Sequence, residues 1–248
     1  MFRFKQFIIQ QDRTAMKVCT DACVLGAYAD VTGSQPAGQV KRILDIGTGT
    51  GLLALMAAQR NQTAQIDAVE VDEAAVGQAQ ENVVASPFAE RVHMWHGRIQ
   101  DFRPTNRYDR ILTNPPFYTN HLRSPDSAVN RALHTDELSF PELIEAVVRL
   151  MEPDGQWWVL LPPFEAEKLA LLANQAGLHA FKQLLVRHNG QKPVFRVITG
   201  FSFEERDLHE ASLMLYEPGK PDGFSENRSV ETYTSEFRTL LREFYLIF

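Results

Sequence analysis

The chain predicts an α/β fold, a mixed and mostly parallel sheet of seven strands with helices on both faces. Three observations predict it. A short apolar run, Ile43, Leu44 and Ile46, ends in glycines and is followed by a helical stretch at 52–59, which is the pattern of a strand turning directly into a helix. Apolar runs at 66–71, 92–95 and 108–113 then alternate with a helical segment at 73–85 and polar connections, as expected of βαβ units and a parallel sheet. Finally, 248 residues of which 44% are hydrophobic and 23% charged suit one sizeable globular core. We expect a single domain over 1–248, with 1–33 an N-terminal extension packing on a core that runs from 34 to 248.

Residues 1–20 carry Arg3, Lys5, Arg13 and Lys17 against one acid, Asp12, with Phe2, Phe4 and Phe7 interleaved. That pattern suits either a strand pairing over the core or an aromatic and basic surface for nucleic acid. The segment lacks the apolar block of a signal peptide, and no apolar run reaches the length of a membrane span, so the expectation is a cytoplasmic protein with no membrane partner. Two cysteines, Cys19 and Cys23, make neither a disulfide framework nor a cysteine zinc site; small buried thiols and no metal are expected. A formal net charge of −6 argues against a nonspecific polyanion binder while allowing local basic patches. A helix at 21–29 and a polar connection at 34–38 lead into the organising strand.

At the end of that strand, Asp45 precedes Gly47, Thr48, Gly49 and Gly51. Glycines at a strand-to-helix turn permit a tight bend and close approach of a ligand, and the free amides of a helix start favour a negative group. A dinucleotide loop requires Gly-x-Gly-x-x-Gly, whereas here the third glycine follows one residue sooner. An acid followed by Gly-x-Gly-x-Gly resembles the S-adenosylmethionine (SAM) loop of Rossmann-like methyltransferases. Glu70 closes the second strand roughly twenty residues after Gly51, where a carboxylate can take both hydroxyls of a ribose. Asp72 is a neighbouring candidate.

The strand at 108–113 ends in Asn114, Pro115, Pro116 and Phe117. This resembles the Asn-Pro-Pro-aromatic signature of methyltransferases that act on planar nitrogen. The exocyclic amine of adenine is a poor nucleophile because its lone pair is delocalised into the ring, so it must be held while the nitrogen turns pyramidal. The Asn114 side-chain oxygen and the Pro115 carbonyl can accept its two N–H groups. Pro116 stiffens the turn, and Phe117 or Tyr118 can stack on the base. Positioning and electrostatics then suffice without a strong general base. The segment 121–137 carries Arg123 and Arg131 and reads equally as a substrate-handling lid or as solvated loop charge. Ser139 and Glu142 form a capping box for a helix to Met151. A fifth strand at 157–161, a helix at 164–176 and antiparallel strands at 184–187 and 195–203 about Asn189-Gly190 follow, and an amphipathic helix at 234–244 closes the fold.

Several flanking motifs agree with one family. Phe4-Lys5-Gln6-Phe7, Met16-Lys17-Val18, Thr20-Asp21, Asp67-Ala68-Val69-Glu70, the glycine loop, Asn114-Pro115-Pro116 and Phe244-Tyr245-Leu246 resemble the bacterial tRNA(Val) adenine-N6 methyltransferases. The likeness covers nearly the whole chain. It implies methylation of the adenine just 3′ of the anticodon, with SAM as cofactor and tRNA as partner; separately, a monomer is expected. It also implies that Lys17, Thr20 and Asp21 lie near the methionine end of SAM. Two positions depart from the family pattern. Cys19 stands where glycine is usual, and Arg98 stands where a carboxylate usually contacts the cofactor adenine, leaving the backbone of Ile99, or Asp101, to serve. Guanine-N2 methylation of ribosomal RNA, glutamine methylation of a protein, and a noncatalytic SAM or nucleotide-binding module are the competing readings.

Charge is distributed unevenly. Residues 168–203 hold five bases, Lys168, Lys182, Arg187, Lys192 and Arg196, and no acid, whereas 204–248 hold ten acids and five bases. The bases near the hairpin turn suit either a solvated hairpin or a phosphate-contacting surface for RNA, with Lys192 and Arg196 joining the N-terminal arm in gripping tRNA.

Overall fold

A computed structural model of the chain describes residues 1–14, 16–33, 39–115, 138–217 and 232–248. The connection expected at 34–38 falls outside them. Strands β1 (Phe2–Arg3) and β2 (Ile8–Ile9) pair as a small antiparallel ribbon, and helix α1 (Thr20–Tyr28) follows. The main sheet begins with β3 (Arg42–Ile46), α2 (Leu52–Arg60), β4 (Gln65–Glu70), α3 (Glu73–Val84), β5 (Val92–His96) and β6 (Tyr108–Thr113). It continues through α4 (Phe140–Leu150), β7 (Met151–Leu161), α5 (Pro163–Gln175), β8 (His179–Arg187), β9 (Val194–Ser202), β10 (His209–Met214) and α6 (Ser235–Leu241).

The order across the sheet is β10-β8-β9-β7-β6-β3-β4-β5, with β9 antiparallel to both of its neighbours and the remaining pairings parallel. Among the described residues the sheet therefore has eight strands, not seven. The added strand, β10, lies at the outer edge with Leu213 as its one fully buried side chain. Ala211 and Leu213 face inward and alternate with exposed Ser212 and Met214, but the run is short and follows the acid-rich stretch 204–210, so its period is weak in the sequence. The fifth strand is also longer than expected. Tyr108 pairs with Met151 and Arg110 with Gln156, so the ladder runs on either side of a bulge at 152–155. Its Pro153-Asp154-Gly155 is turn chemistry inside a strand, and a Cβ on Gly155 would lie 2.6 Å from Met151 Cγ and 2.8 Å from the Glu152 carbonyl oxygen.

Strand alternation divides the core between the two faces of the sheet. Ile43, Ala68, Leu112, Trp158 and Leu160 pack with α1, α2 and α6 on one face; Leu44, Ile46, Val69, Trp157 and Val159 pack with α4 and α5 on the other. Helix α4 starts where expected: the Ser139 hydroxyl accepts from the Glu142 amide and the Glu142 carboxylate accepts from the Ser139 amide, a complete capping box.

The N-terminal arm resolves as a strand pairing over the core. Phe4 and Phe7 are buried, stacked on each other at 4.6 Å, and Phe4 bridges to Tyr245, so residues from both ends of the chain share one aromatic cluster. Polar residues on the inner face of α3 clamp the next segment. Asn82 Oδ1 accepts from the Gln10 amide at 2.8 Å, its Nδ2 donates to the Gln10 and Thr50 carbonyls at 2.9 Å each, and Gln78 Oε1 accepts from the Arg13 amide at 2.9 Å. Asn82 thus ties the arm, α3 and the end of the glycine loop together.

Asn82→Ala removes the partner of the part-buried Gln10 amide and carbonyl and of the buried Thr50 carbonyl, and we expect it to cost about 1–3 kcal/mol. In urea unfolding the midpoint should fall with the slope unchanged; an unmoved midpoint would show that the clamp carries no stability.

Candidate active site

The conserved logic of parallel α/β sheets places ligands beyond the carboxyl ends of the strands, and the candidate residues gather there at the ends of β3, β4 and β6. At the end of β3, Gly47, Gly49 and Gly51 have φ of +70°, +55° and +83°, backbone conformations that favour glycine. The three play different parts. A Cβ on Gly47 or Gly49 would meet nothing within 4 Å, leaving open space beside the loop, whereas at Gly51 it would sit 3.5 Å from Ala79 Cβ of α3.

The loop amides do not face outward as a free anion cradle. Gly47 and Thr48 donate to the Val69 carbonyl at 2.9 and 3.1 Å, Gly51 donates to the Thr48 carbonyl at 2.9 Å, and Gly49 donates to Glu70 Oε2 at 2.9 Å. The negative group at the start of α2 is the protein's own. Asp45 is fully buried, and its Oδ2 accepts from the Thr48 hydroxyl at 2.5 Å and from the Ala54 amide at 3.1 Å. Asp45 Oδ1 is buried without a hydrogen-bond partner. Burial raises the Asp45 carboxyl from its ordinary value of 3.8 to about 7, against the opposing pull of Thr48 and Ala54.

Glu70 ends β4 and is held from two sides. Its Oε2 takes the Gly49 amide, and Oε1 takes the amides of Val71 and Asp72 at 2.9 and 3.1 Å. Three of the carboxylate's roughly four lone-pair sites are thus taken, and Oε2 keeps one for a hydroxyl. Asp72 lies beyond the end of β4 and caps α3 by accepting from the Ala75 amide at 2.7 Å.

Asn114 follows β6 directly. Its Oδ1 is buried and unpartnered, an acceptor withdrawn from water and left open. The strand end beneath it is fixed by Trp157, whose indole Nε1 donates to Thr113 Oγ1 at 3.1 Å. Nothing in the sequence marked that support. Pro115 is buried beside Asn114. Pro116, Phe117, Tyr118, Arg123 and Arg131 lie outside the described residues.

The N-terminal candidates are each fastened to another part of the chain. Lys17 Nζ donates to the carbonyls of Gln11 and Thr14. Thr20, at the first turn of α1, neighbours the phenol of Tyr245, as does Cys23. Asp21 Oδ2 accepts from Arg196 Nε at 2.7 Å, across 175 residues of sequence. This corrects the expectation for Arg196: its guanidinium is turned to Asp21 and not presented as a phosphate contact. The arm cations are also engaged, Lys5 with the Arg242 and Phe248 carbonyls and Arg13 with Glu81. Charge counting along a sequence does not see such pairings. Lys192 is exposed at the hairpin turn, and its carbonyl accepts from Arg187.

Arg98 lies 3.9 Å from Glu142 Oε1, a long and exposed pairing. Ile99 beside it is buried, and its carbonyl accepts from Arg149 at 3.0 Å. Burial pushes both cysteine thiols up to about 12, so Cys19 and Cys23 stay protonated. Among the described residues no group of three His, Cys, Asp or Glu side chains could hold a metal ion.

Residues 33–179 match the family model of the methyltransferase small domain. The chain is 44% identical to a tRNA1(Val) (adenine(37)-N6)-methyltransferase of Dyadobacter fermentans, with 100% of this chain and 98% of that protein covered. It is 43% identical to the protein of the same name from Tolumonas auensis, over 99% and 96% of the two chains. Among solved structures it is similar to an O-methyltransferase, Atu636 of Agrobacterium tumefaciens, with a TM-score of 0.65 at 16% identity over 90% of this chain and 96% of that one. A methyltransferase of Pyrococcus furiosus gives a TM-score of 0.59 at 20% identity, over 79% and 88%. At those identities the likeness to solved structures speaks for the fold.

The buried Asp45 makes a pH signature. Its folded value of about 7 exceeds the ordinary 3.8, so between those limits the folded chain keeps a proton that the unfolded chain has released. Its contribution therefore favours the fold less as pH rises through that window. Relative to Asp45→Asn, the wild-type urea midpoint, measured without cofactor, should decline between about pH 4.5 and pH 8; parallel profiles would show that Asp45 does not titrate there.

Proposed function

The chain belongs to the methyltransferase small domain family and, within it, to the tRNA1(Val) (adenine(37)-N6)-methyltransferases, and from that premise we propose that it methylates the exocyclic N6 amine of adenine 37 in tRNA1(Val). The observation that carries this reading is the buried, unpartnered Oδ1 of Asn114 at the end of β6. A buried acceptor without a donor is costly in a free protein, and an amine N–H arriving from the substrate satisfies it. The Pro115 carbonyl takes the second N–H, so the amine is held at two points while its nitrogen leaves the plane of the ring. Trp157 and Thr113 keep the strand end rigid beneath both acceptors. Orientation of the amine, and not abstraction of its proton, is the protein's contribution.

SAM, when bound, supplies an electrophilic methyl group on a sulfonium. The site has features that such a cofactor requires: open space beside Gly47 and Gly49, a carboxylate at Glu70 whose Oε2 can still accept a ribose hydroxyl, and the unpartnered Oδ1 of Asp45. Thr48 and Gly51 hold the loop in shape around it. Lys17, Thr20 and Asp21 would border the methionine end, with Arg196 and Tyr245 keeping α1 in place. At the adenine end, the buried Ile99 offers an apolar wall and its backbone, while Arg98 stays with Glu142. No helix among the described residues is long and apolar enough to cross a membrane. The reading calls for a cytoplasmic monomer with no metal, with Lys192 at the hairpin turn as a phosphate contact and Arg123 and Arg131 as further RNA contacts.

Asn114→Ala should slow single-turnover methyl transfer to tRNA by at least about a hundredfold, with tRNA affinity largely kept through phosphate contacts elsewhere. A near-normal single-turnover rate would mean that Asn114 is only part of a turn.

A further inference from the structure

Phe164 occupies the first turn of α5 and is 68% exposed. Among the described phenylalanines and tryptophans the other exposed ring is Trp95, at 49%, and its indole is tied to Asp67 at 3.1 Å. Glu165, Ala166, Leu169 and Ala173 turn inward and anchor α5 to the sheet, so the outward position of Phe164 is fixed by the burial of its neighbours. Pro162 caps the helix and Pro163 opens it, which makes the backbone that carries the ring stiff.

The sheet puts this ring at the edge that carries Asn114. Strands β6 and β7 are parallel neighbours with Thr113 opposite Val159. Asn114 follows the first strand directly, and Phe164 follows the second by three residues. In sequence the two strand ends carry the same triplet, Pro115-Pro116-Phe117 and Pro162-Pro163-Phe164. Leu161 pairs with Val197 of antiparallel β9, which brings the 188–193 turn to the same edge, where the His188 ring stacks on Phe195 at 4.1 Å. Lys168, one helical turn after Phe164 on the outward face, is exposed as well.

We propose that Phe164 is a substrate-binding residue that stacks on a nucleobase flanking the target adenine, with Lys168 facing the adjoining phosphate. The inference rests on the proposed function and extends it. An adenine turned out for methylation leaves its neighbours in the loop unstacked. A flat, exposed ring on a stiff backbone takes the face of such a base with little ordering cost and little demand on its identity.

The test compares Phe164→Ala, Phe164→Leu and Phe164→Trp in the full-length protein by kcat/KM for tRNA at saturating SAM, with SAM affinity and the urea midpoint measured alongside. The Ala and Leu variants should lose roughly tenfold or more in kcat/KM while Trp stays within about threefold of wild type. SAM affinity and the midpoint should not move, since the ring is exposed. A Leu variant as active as wild type would exclude stacking, because leucine keeps the apolar surface without the aromatic face. An active wild type with an equally active Ala variant would overturn this inference alone, including the case in which the ring instead receives a protein partner. A wild type silent on tRNA would overturn the functional reading and this inference with it.

Discussion

The carboxylate of Asp45, buried beneath the glycine loop, is the interaction on which the rest of the site depends. It joins the last turn of β3 to the first turn of α2 through the Thr48 hydroxyl and the Ala54 amide. With one oxygen fixed in this way, the chain can reverse through three glycines in left-handed conformations and still present a single loop shape. Glu70 holds the same loop from the neighbouring strand through the Gly49 amide. Two acids from adjacent parallel strands therefore set the loop, and parallel pairing of β3 with β4 brings them together. The loop amides are spent on this architecture, so its value to a ligand lies in open space and carboxylate oxygens and not in an anion cradle.

The border proposed for the methionine end is assembled from remote segments. Helix α1 is short, and at its start Thr20 neighbours the Tyr245 phenol and Asp21 is bonded by Arg196. The arm before it is clamped by Asn82 and Gln78 of α3. On the proposed reading, a border built in this way forms only once the sheet has closed, and cofactor binding would depend on the integrity of β9 and of the residues after α6. Lys5, Arg13, Lys17 and Arg196 are held by partners within the chain, and Lys192 and Lys168 are exposed cations in the acid-free stretch.

Much of this was legible in the sequence where the chemistry is local. The glycine loop with Asp45, Glu70 at its strand end, Asn114 at the end of β6, and the Ser139–Glu142 box each depend on residues close together in the chain, and all stand where they were expected. What was not legible depends on partners far away. The edge strand β10 alternates over too few residues to stand out, and the bulge in β7 hides half of a strand behind turn residues. Arg196 looked like a free cation because Asp21 is distant in sequence, and the structural use of Asn82 and Trp157 has no local signature at all.

The central claim is that the open acceptor at Asn114 receives the N6 amine of an adenine. Its most direct test is mass spectrometry of nucleosides, mapped by nuclease fragments, from tRNA incubated with the purified protein and SAM. The account predicts N6-methyladenosine at position 37 of tRNA1(Val), absent when the protein is left out. Methylation on guanine, or on a ring nitrogen of adenine, would contradict it.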